Sequence, residues 1–97
     1  MLLVVWRFRA RMGGEAAFEH AYGPDGEWAR LFRRDPAYRG TDLLRPDVAE
    51  GWYLTIDRWA SRTAYDAFRE SHASEYHRVD LACEELTEAE ELVGFYS

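Results

Sequence analysis

Apolar residues alternate along the first ten positions. Leu2, Val4, Trp6 and Phe8 fall on one side of an extended segment, while Leu3 and Val5 on the other side give way to Arg7 and Arg9. A period of two predicts a strand over residues 2–9. Its start is apolar on both faces, which calls for cover on both sides. Met12-Gly13-Gly14 breaks the strand, and Glu15 opens a helix at the end where the backbone dipole favours a carboxylate. Ala17, Phe18, Ala21 and Tyr22 make the apolar stripe of that helix. Gly23-Pro24-Asp25-Gly26 is a turn, and a second short helix follows with Trp28, Leu31 and Phe32 on one side. Asp35-Pro36 ends it, because the residue before a proline avoids the helical region.

Two more strands, Tyr38 to Leu44 and Trp52 to Trp59, are joined by a short connection and are predicted to form an antiparallel hairpin. The second of them runs straight into Trp59-Ala-Ser61-Arg-Thr-Ala-Tyr65. There Ser61 can cap a helix by accepting a backbone N–H, and Tyr65 with Phe68 opens its apolar face. The helical region covers about 61–86, with a stripe of Tyr65, Phe68, His72, Tyr76, Val79, Cys83 and Leu86 and a bend near Ser71–Ser74. Thr87-Glu-Ala-Glu90 has the spacing of a capping box for one last helical turn, and Leu92 to Tyr96 reads as a closing strand. The order β-α-β-β-α-β is the ferredoxin-like, split-βαβ arrangement, an α+β fold with a four-stranded antiparallel sheet. Its helices cover one face only, so the other needs a partner.

Composition sharpens that expectation. A chain of 97 residues is a single domain, yet 47% of it is hydrophobic and it carries four Trp, six Tyr and five Phe. So much large apolar surface points to a homodimer through the sheet face. The formal charge of −6 argues against nucleic acid, which needs a basic stripe, and against an anionic membrane. All 12 basic residues are Arg, so every basic contact is planar and can be bidentate. Cys83 is the sole cysteine, which excludes an intrachain disulfide and favours a reducing compartment. The apolar run before Arg7 is short for a signal peptide, and no stretch approaches a membrane span. The expected location is cytoplasmic.

Across essentially its whole length the chain resembles the antibiotic biosynthesis monooxygenase (ABM) domains of the dimeric α+β barrel superfamily. The resemblance rests on the element order, on Gly26-Glu-Trp28-Ala-Arg-Leu31-Phe32, on Tyr38-Arg-Gly40-Thr-Asp-Leu-Leu44, and above all on Trp59-Ala-Ser61-Arg-Thr-Ala-Tyr65. It implies one dimeric α+β barrel domain over residues 1–97. Members that oxygenate aromatic polyketides without a cofactor use an Asn and a Trp of the third strand, a Tyr of the next helix and a later Arg. By that resemblance Trp59 and Tyr65 match, Arg78 takes the Arg position, and Thr55 stands where the Asn would be. Haem-degrading relatives use an Asn this chain lacks and a helical Trp whose position holds Phe68, although His77 falls near their His. The implied function is cofactor-independent monooxygenation of an electron-rich aromatic, with no metal or other cofactor. The alternative is a non-catalytic dimer, structural or binding an apolar or aromatic small molecule. A haem-degrading or isomerase-type activity ranks behind both.

The candidate catalytic residues are therefore Trp59, Tyr65, Arg78 and His72, with Thr55, Phe68, Tyr76, Phe18, Tyr22 and Trp28 as the lining of a substrate site. Trp59 and Tyr65 have two readings, pocket wall with hydrogen-bond donor, or core aromatics pinning the strand–helix corner. His72 continues the helical stripe and could act as a base near neutrality, and Arg78 or His72 would support an oxyanion. His72 and His77 are spaced five apart, which is poor for holding one metal, and His20 beside Glu19 is expected to face solvent. Asp57 shares its strand face with Thr55 and Trp59. The expectation is an ion pair with Arg7, Arg9 or Arg39 of a neighbouring strand, with a base as the other reading. The glutamates from Glu84 to Glu91 read as a solvated face, and Cys83 as a small buried hydrophobe. There is no phosphate-binding glycine loop, nucleophile elbow or Cys–His metal spacing.

Overall fold

The computed structural model describes every residue from Met1 to Ser97. Its elements are β1 (Leu2–Ala10), α1 (Glu15–Tyr22), α2 (Glu27–Phe32), β2 (Tyr38–Leu44), β3 (Tyr53–Trp59), α3 (Arg62–Ser71), α4 (Ala73–Cys83) and β4 (Thr87–Tyr96). A single 3₁₀ turn, Glu84–Leu86, leads from α4 into β4. The sheet order is β2-β3-β1-β4 with every neighbour antiparallel, which is the ferredoxin-like α+β arrangement.

The capping-box expectation for Thr87–Glu90 is overturned: these residues open β4. A helix cap is worth about 1 kcal/mol. Extending β4 instead pairs β1 along almost its whole length, from Leu3↔Tyr96 to Ala10↔Thr87. Two register shifts absorb the mismatch in length, between Val5 and Trp6 and between Arg9 and Ala10. The bend in the long helix falls where its pattern placed it. His72 has left the helical region (φ −116°, ψ 29°) and separates α3 from α4. Ser61 caps α3, its Oγ accepting from the Ala64 N–H at 3.0 Å.

Strand parity decides what each face of the sheet carries. Leu2, Val4 and Phe8 of β1 and Tyr53, Thr55, Asp57 and Trp59 of β3 point at the helices and are buried. The opposite face presents Leu3, Val5, Leu54 and Ile56, all half-buried, with Leu44 and Tyr96 about half exposed. Charged pairs flank this apolar strip: Arg7 with Glu91 at 2.5 Å and Arg58 with Asp42 at 2.6 Å. The Arg7 guanidinium also lies 4.4 Å from the centre of a Trp52 ring.

The helix-side core is split in two. One cluster gathers Leu2, Val4, Leu31, Phe32, Trp59, Tyr65 and Phe68. The other gathers Phe8, Phe18, Ala21, Tyr22, Tyr53 and Cys83. Trp6, Trp28 and Val79 pack against both. The split follows from β3, whose large rings, Tyr53 and Trp59, stand at its ends with the short Thr55 and Asp57 between them.

Candidate active site

Between the two clusters lies a cavity of about 210 Å³. Its floor is Thr55 and Asp57 of β3, Thr41 of β2, and Trp6 and Phe8 of β1. Helices α1 and α2 contribute Tyr22, Trp28 and Phe32. Helices α3 and α4 contribute Tyr65, Arg69, Tyr76 and Asp80, and β4 adds Glu90. Aromatic rings thus make most of the wall, and beside the carboxylates of Asp80 and Glu90 the polar groups include two hydrogen-bonded sets.

The first set sits on the sheet. Thr41 Oγ1 donates to Asp57 Oδ1 at 2.5 Å, and the Tyr38 hydroxyl lies 2.5 Å from the same Thr41 oxygen. With Thr41 donating to the carboxylate, Tyr38 donates to Thr41. Tyr38 and Thr41 are three residues apart and would face opposite ways in a regular strand. Between them the register shifts, Tyr38 pairing with Trp59 and Gly40 with Arg58, so that Arg39 is bulged. Gly40 accommodates this at φ +117°, where a side chain would be strained. The bulge turns both hydroxyls to the helix side.

Asp57 is 9% exposed and pairs with no arginine, contrary to the expected ion pair. Parity forbids it. Arg7 and Arg9 occupy odd positions of β1 and point to the outer face, while Arg39 is bulged and donates to the Pro36 carbonyl. Burial pushes the Asp57 carboxyl up to about 6, partly offset by the Thr41 hydrogen bond.

The second set sits on α3. Arg69 Nη1 donates to the Tyr65 hydroxyl at 2.9 Å, and the guanidinium carbon lies 3.8 Å from the centre of the Tyr76 ring. The spacing from Tyr65 to Arg69 is i to i+4, which brings the two side chains together on one helix face. Burial raises the Tyr76 and Tyr22 phenols well above their ordinary range, so both stay protonated donors at neutral pH. Burial also raises the Glu90 carboxyl, with Asp80 adding to the effect. The thiol of Cys83, pushed up by burial to about 11, is not a nucleophile at neutral pH.

Of the residues singled out in the sequence, Tyr65, Thr55, Tyr76, Tyr22 and Trp28 line the cavity. Trp59 does not reach it. That indole is fully buried among Phe32, Tyr38, Tyr65 and Phe68, at ring-centre distances of 5.1 to 5.5 Å. Phe68 and Phe18 likewise sit in the two core clusters, behind the wall. His72 stacks on the Phe68 ring at 4.3 Å, with Nδ1 beside the Ser71 hydroxyl and the Phe68 carbonyl. Arg78, His20 and His77 are exposed and away from the cavity. The arginine that does line it is Arg69, which the i to i+4 spacing from Tyr65 could have indicated. Thr41 was signalled only indirectly, by a glycine inside a strand. No group of three or more His, Cys, Asp or Glu is placed to hold a metal, and no helix is long and apolar enough to cross a membrane.

Comparison with known proteins adds a family and a set of folds. A family model described as "Antibiotic biosynthesis monooxygenase" matches residues 1–79. Among solved structures, SnoaB, a cofactor-independent oxygenase from Streptomyces nogalater, superposes with a TM-score of 0.70 at 20% identity, covering 99% of this chain and 90% of its own. A variant of MhuD with two manganese protoporphyrin IX molecules bound per active site gives 0.75 at 18% identity, covering 100% and 93%. Rv0793 from Mycobacterium tuberculosis gives 0.63 at 22% identity, covering 96% and 92%. At these identities the likeness establishes the fold. No protein of curated function matches the sequence.

The Asp57 carboxyl makes stability depend on pH in a defined direction. Its folded value of about 6 lies above the ordinary unfolded value of about 3.9. Between those values the folded chain holds a proton that the unfolded chain has released, so stability falls as pH rises through that window. Above it the buried charge costs about 3 kcal/mol, the equivalent of that difference. Asp57→Asn keeps the acceptor for Thr41 and removes the charge. We expect the variant to be about 1–3 kcal/mol more stable than the parent at pH 8 and equal to it at pH 4, measured by urea unfolding.

Proposed function

The chain belongs to the antibiotic biosynthesis monooxygenase (ABM) family, and from that premise we propose that it oxygenates a one- or two-ring phenol without a cofactor. The observation that carries this reading is the cavity itself, aromatic-walled, with the Tyr65–Arg69 donor pair on its helix side. Its volume of about 210 Å³ exceeds the ~150 Å³ cavity known to hold benzene and falls short of the ~300 Å³ at which drug-sized pockets begin.

In this reading the substrate oxygen lies against Tyr65 and Arg69, which stabilise it as it becomes a phenolate. The electron-rich ring then passes one electron to O₂, and the superoxide so formed joins the para carbon of the ring radical. The peroxide anion so formed takes up the proton the phenol released. The hydroperoxide then loses its terminal OH with the hydrogen of the para carbon as water to leave a quinone, so one oxygen atom enters the product and the other leaves as water. The protein's part is to orient the ring, hold the developing charge and keep bulk water out. SnoaB, which shares the fold, is itself a cofactor-independent oxygenase. The haem reading lacks support from the residues, because no histidine lines the cavity.

The homodimer belongs to the same proposal. A second copy laid over Leu3, Val5, Leu54 and Ile56 would cover the apolar strip that one chain leaves half-exposed. Light scattering at micromolar concentration should return twice the 11.3 kDa of one chain, and Ile56→Asp should return the single mass.

Oxygen uptake tests the activity. With α-naphthol as probe we expect consumption of one O₂ per naphthoquinone formed, and Tyr65→Phe and Arg69→Gln should each lower kcat by roughly 10²–10³-fold. No turnover above the uncatalysed rate would leave the cavity as a binding site alone, and full activity in both variants would remove the donor pair from the mechanism.

A further inference from the structure

Asp57 meets no cation although it is nine-tenths buried. Its Oδ1 accepts from Thr41, while its Oδ2 makes no hydrogen bond and the residue faces the cavity. Carboxylates at this depth are ordinarily paired, because an uncompensated buried charge is costly. The opposite wall holds Tyr65 and Arg69, bonded to each other and pointing donors at the same space. Asp80 and Glu90 also line the cavity but are exposed, so Asp57 is its one buried carboxylate. That acceptor on the sheet and the paired donors on the helix are the two halves of a carbon-acid site. One takes a proton from carbon, and the other holds the oxygen that gains the charge.

We propose that Asp57 is the proton acceptor of this cavity and that the site enolises aromatic ketones of one or two rings, a reaction that needs no oxygen. The proposal rests on the oxygenase reading for the ring system that enters and for the role of the Tyr65–Arg69 pair. A C–H bond beside the carbonyl breaks, and its proton forms an O–H bond on Asp57. The electron pair left on carbon makes the enolate C=C, and the carbonyl pair moves onto the oxygen held by Tyr65 and Arg69. Return of the proton from Asp57 restores the ketone, so nothing is oxidised or reduced. Thr41 is a positioning residue, fixing one carboxylate oxygen so that the other faces the ligand. The ionisable groups facing Asp57 are Tyr38 from β2, Tyr65 and Arg69 from α3, Tyr76 and Asp80 from α4, Glu90 from β4 and Tyr22 from α1.

The test is deuterium uptake by β-tetralone in D₂O under nitrogen, followed by proton NMR. The parent should exchange the methylene between ring and carbonyl faster than buffer, with a rate that falls as pH drops below about 6. Asp57→Asn should lose that acceleration by roughly 10²–10⁴-fold. Thr41→Val removes the hydroxyl that holds the Asp57 carboxyl down, so the acid limb of its pH profile should move to higher pH. Absence of acceleration in the parent, or an Asp57→Asn variant within threefold of it, would overturn the proposal. If Asp57→Asn fails to fold, an unmoved limb in Thr41→Val overturns it and a displaced one upholds it. Exchange without oxygen uptake would defeat the oxygenase reading alone, and oxygen uptake with exchange independent of Asp57 would defeat this one alone.

Discussion

Everything in this molecule turns on the order of four side chains along one face of β3: Tyr53, Thr55, Asp57, Trp59. A strand shows every second residue to the helices, so these four set the height of the floor along β3. Trp59 is wedged among four rings, and truncating so buried an aromatic ordinarily costs about 3–5 kcal/mol. At the other end Tyr53 packs on Phe18 at 4.6 Å and donates its hydroxyl to Glu19 at 2.6 Å. These two rings hold the helices off the sheet. Thr55 and Asp57 are too short to reach them, and the core parts into two clusters around the space that results.

Two faces of the sheet then acquire different tasks from the same alternation. The inner face carries the cavity and the only carboxylate buried in the core. The outer face carries an apolar strip flanked by the Arg7–Glu91 and Arg58–Asp42 pairs. A shift of one residue in β3 would exchange these tasks, placing Arg58 among the helices and Asp57 in the outer strip. The long ladders to β1 and β2 make such a slip costly, and the bulge at Arg39 keeps Tyr38 and Thr41 in phase with Trp59 and Asp57.

Local signals carried the fold far. Alternation in residues 2–9, the Gly23-Pro24-Asp25-Gly26 turn, the Ser61 cap and the bend near His72 all act within a few residues and were legible as such. Thr87–Glu90 was not, because its strand character comes from β1, some eighty positions earlier in the chain. The site was legible by half for the same reason. Tyr76 follows from the helical stripe, whereas Tyr65 and Thr55 were picked out by the family resemblance. His72 does continue the stripe, stacking on Phe68, but Phe68 lies in the core cluster behind the wall and the His72 ring does not line the cavity. Asp57 without an arginine depends on which face each strand's arginines take, and Thr41 depends on a bulge; neither is a property of any one segment.

The central claim is that the gap between the Tyr53 and Trp59 pillars is a ligand site. Titration of ¹⁵N-labelled protein with α-naphthol, on the parent and on Thr55→Phe, tests it most directly, because the larger ring would fill the floor. The account predicts shifts confined to the amides around Thr41, Asp57, Tyr65, Arg69 and Tyr76 in the parent, and their loss in a Thr55→Phe variant that still folds. Shifts elsewhere on the surface, or equal binding by a folded Thr55→Phe variant, would contradict it.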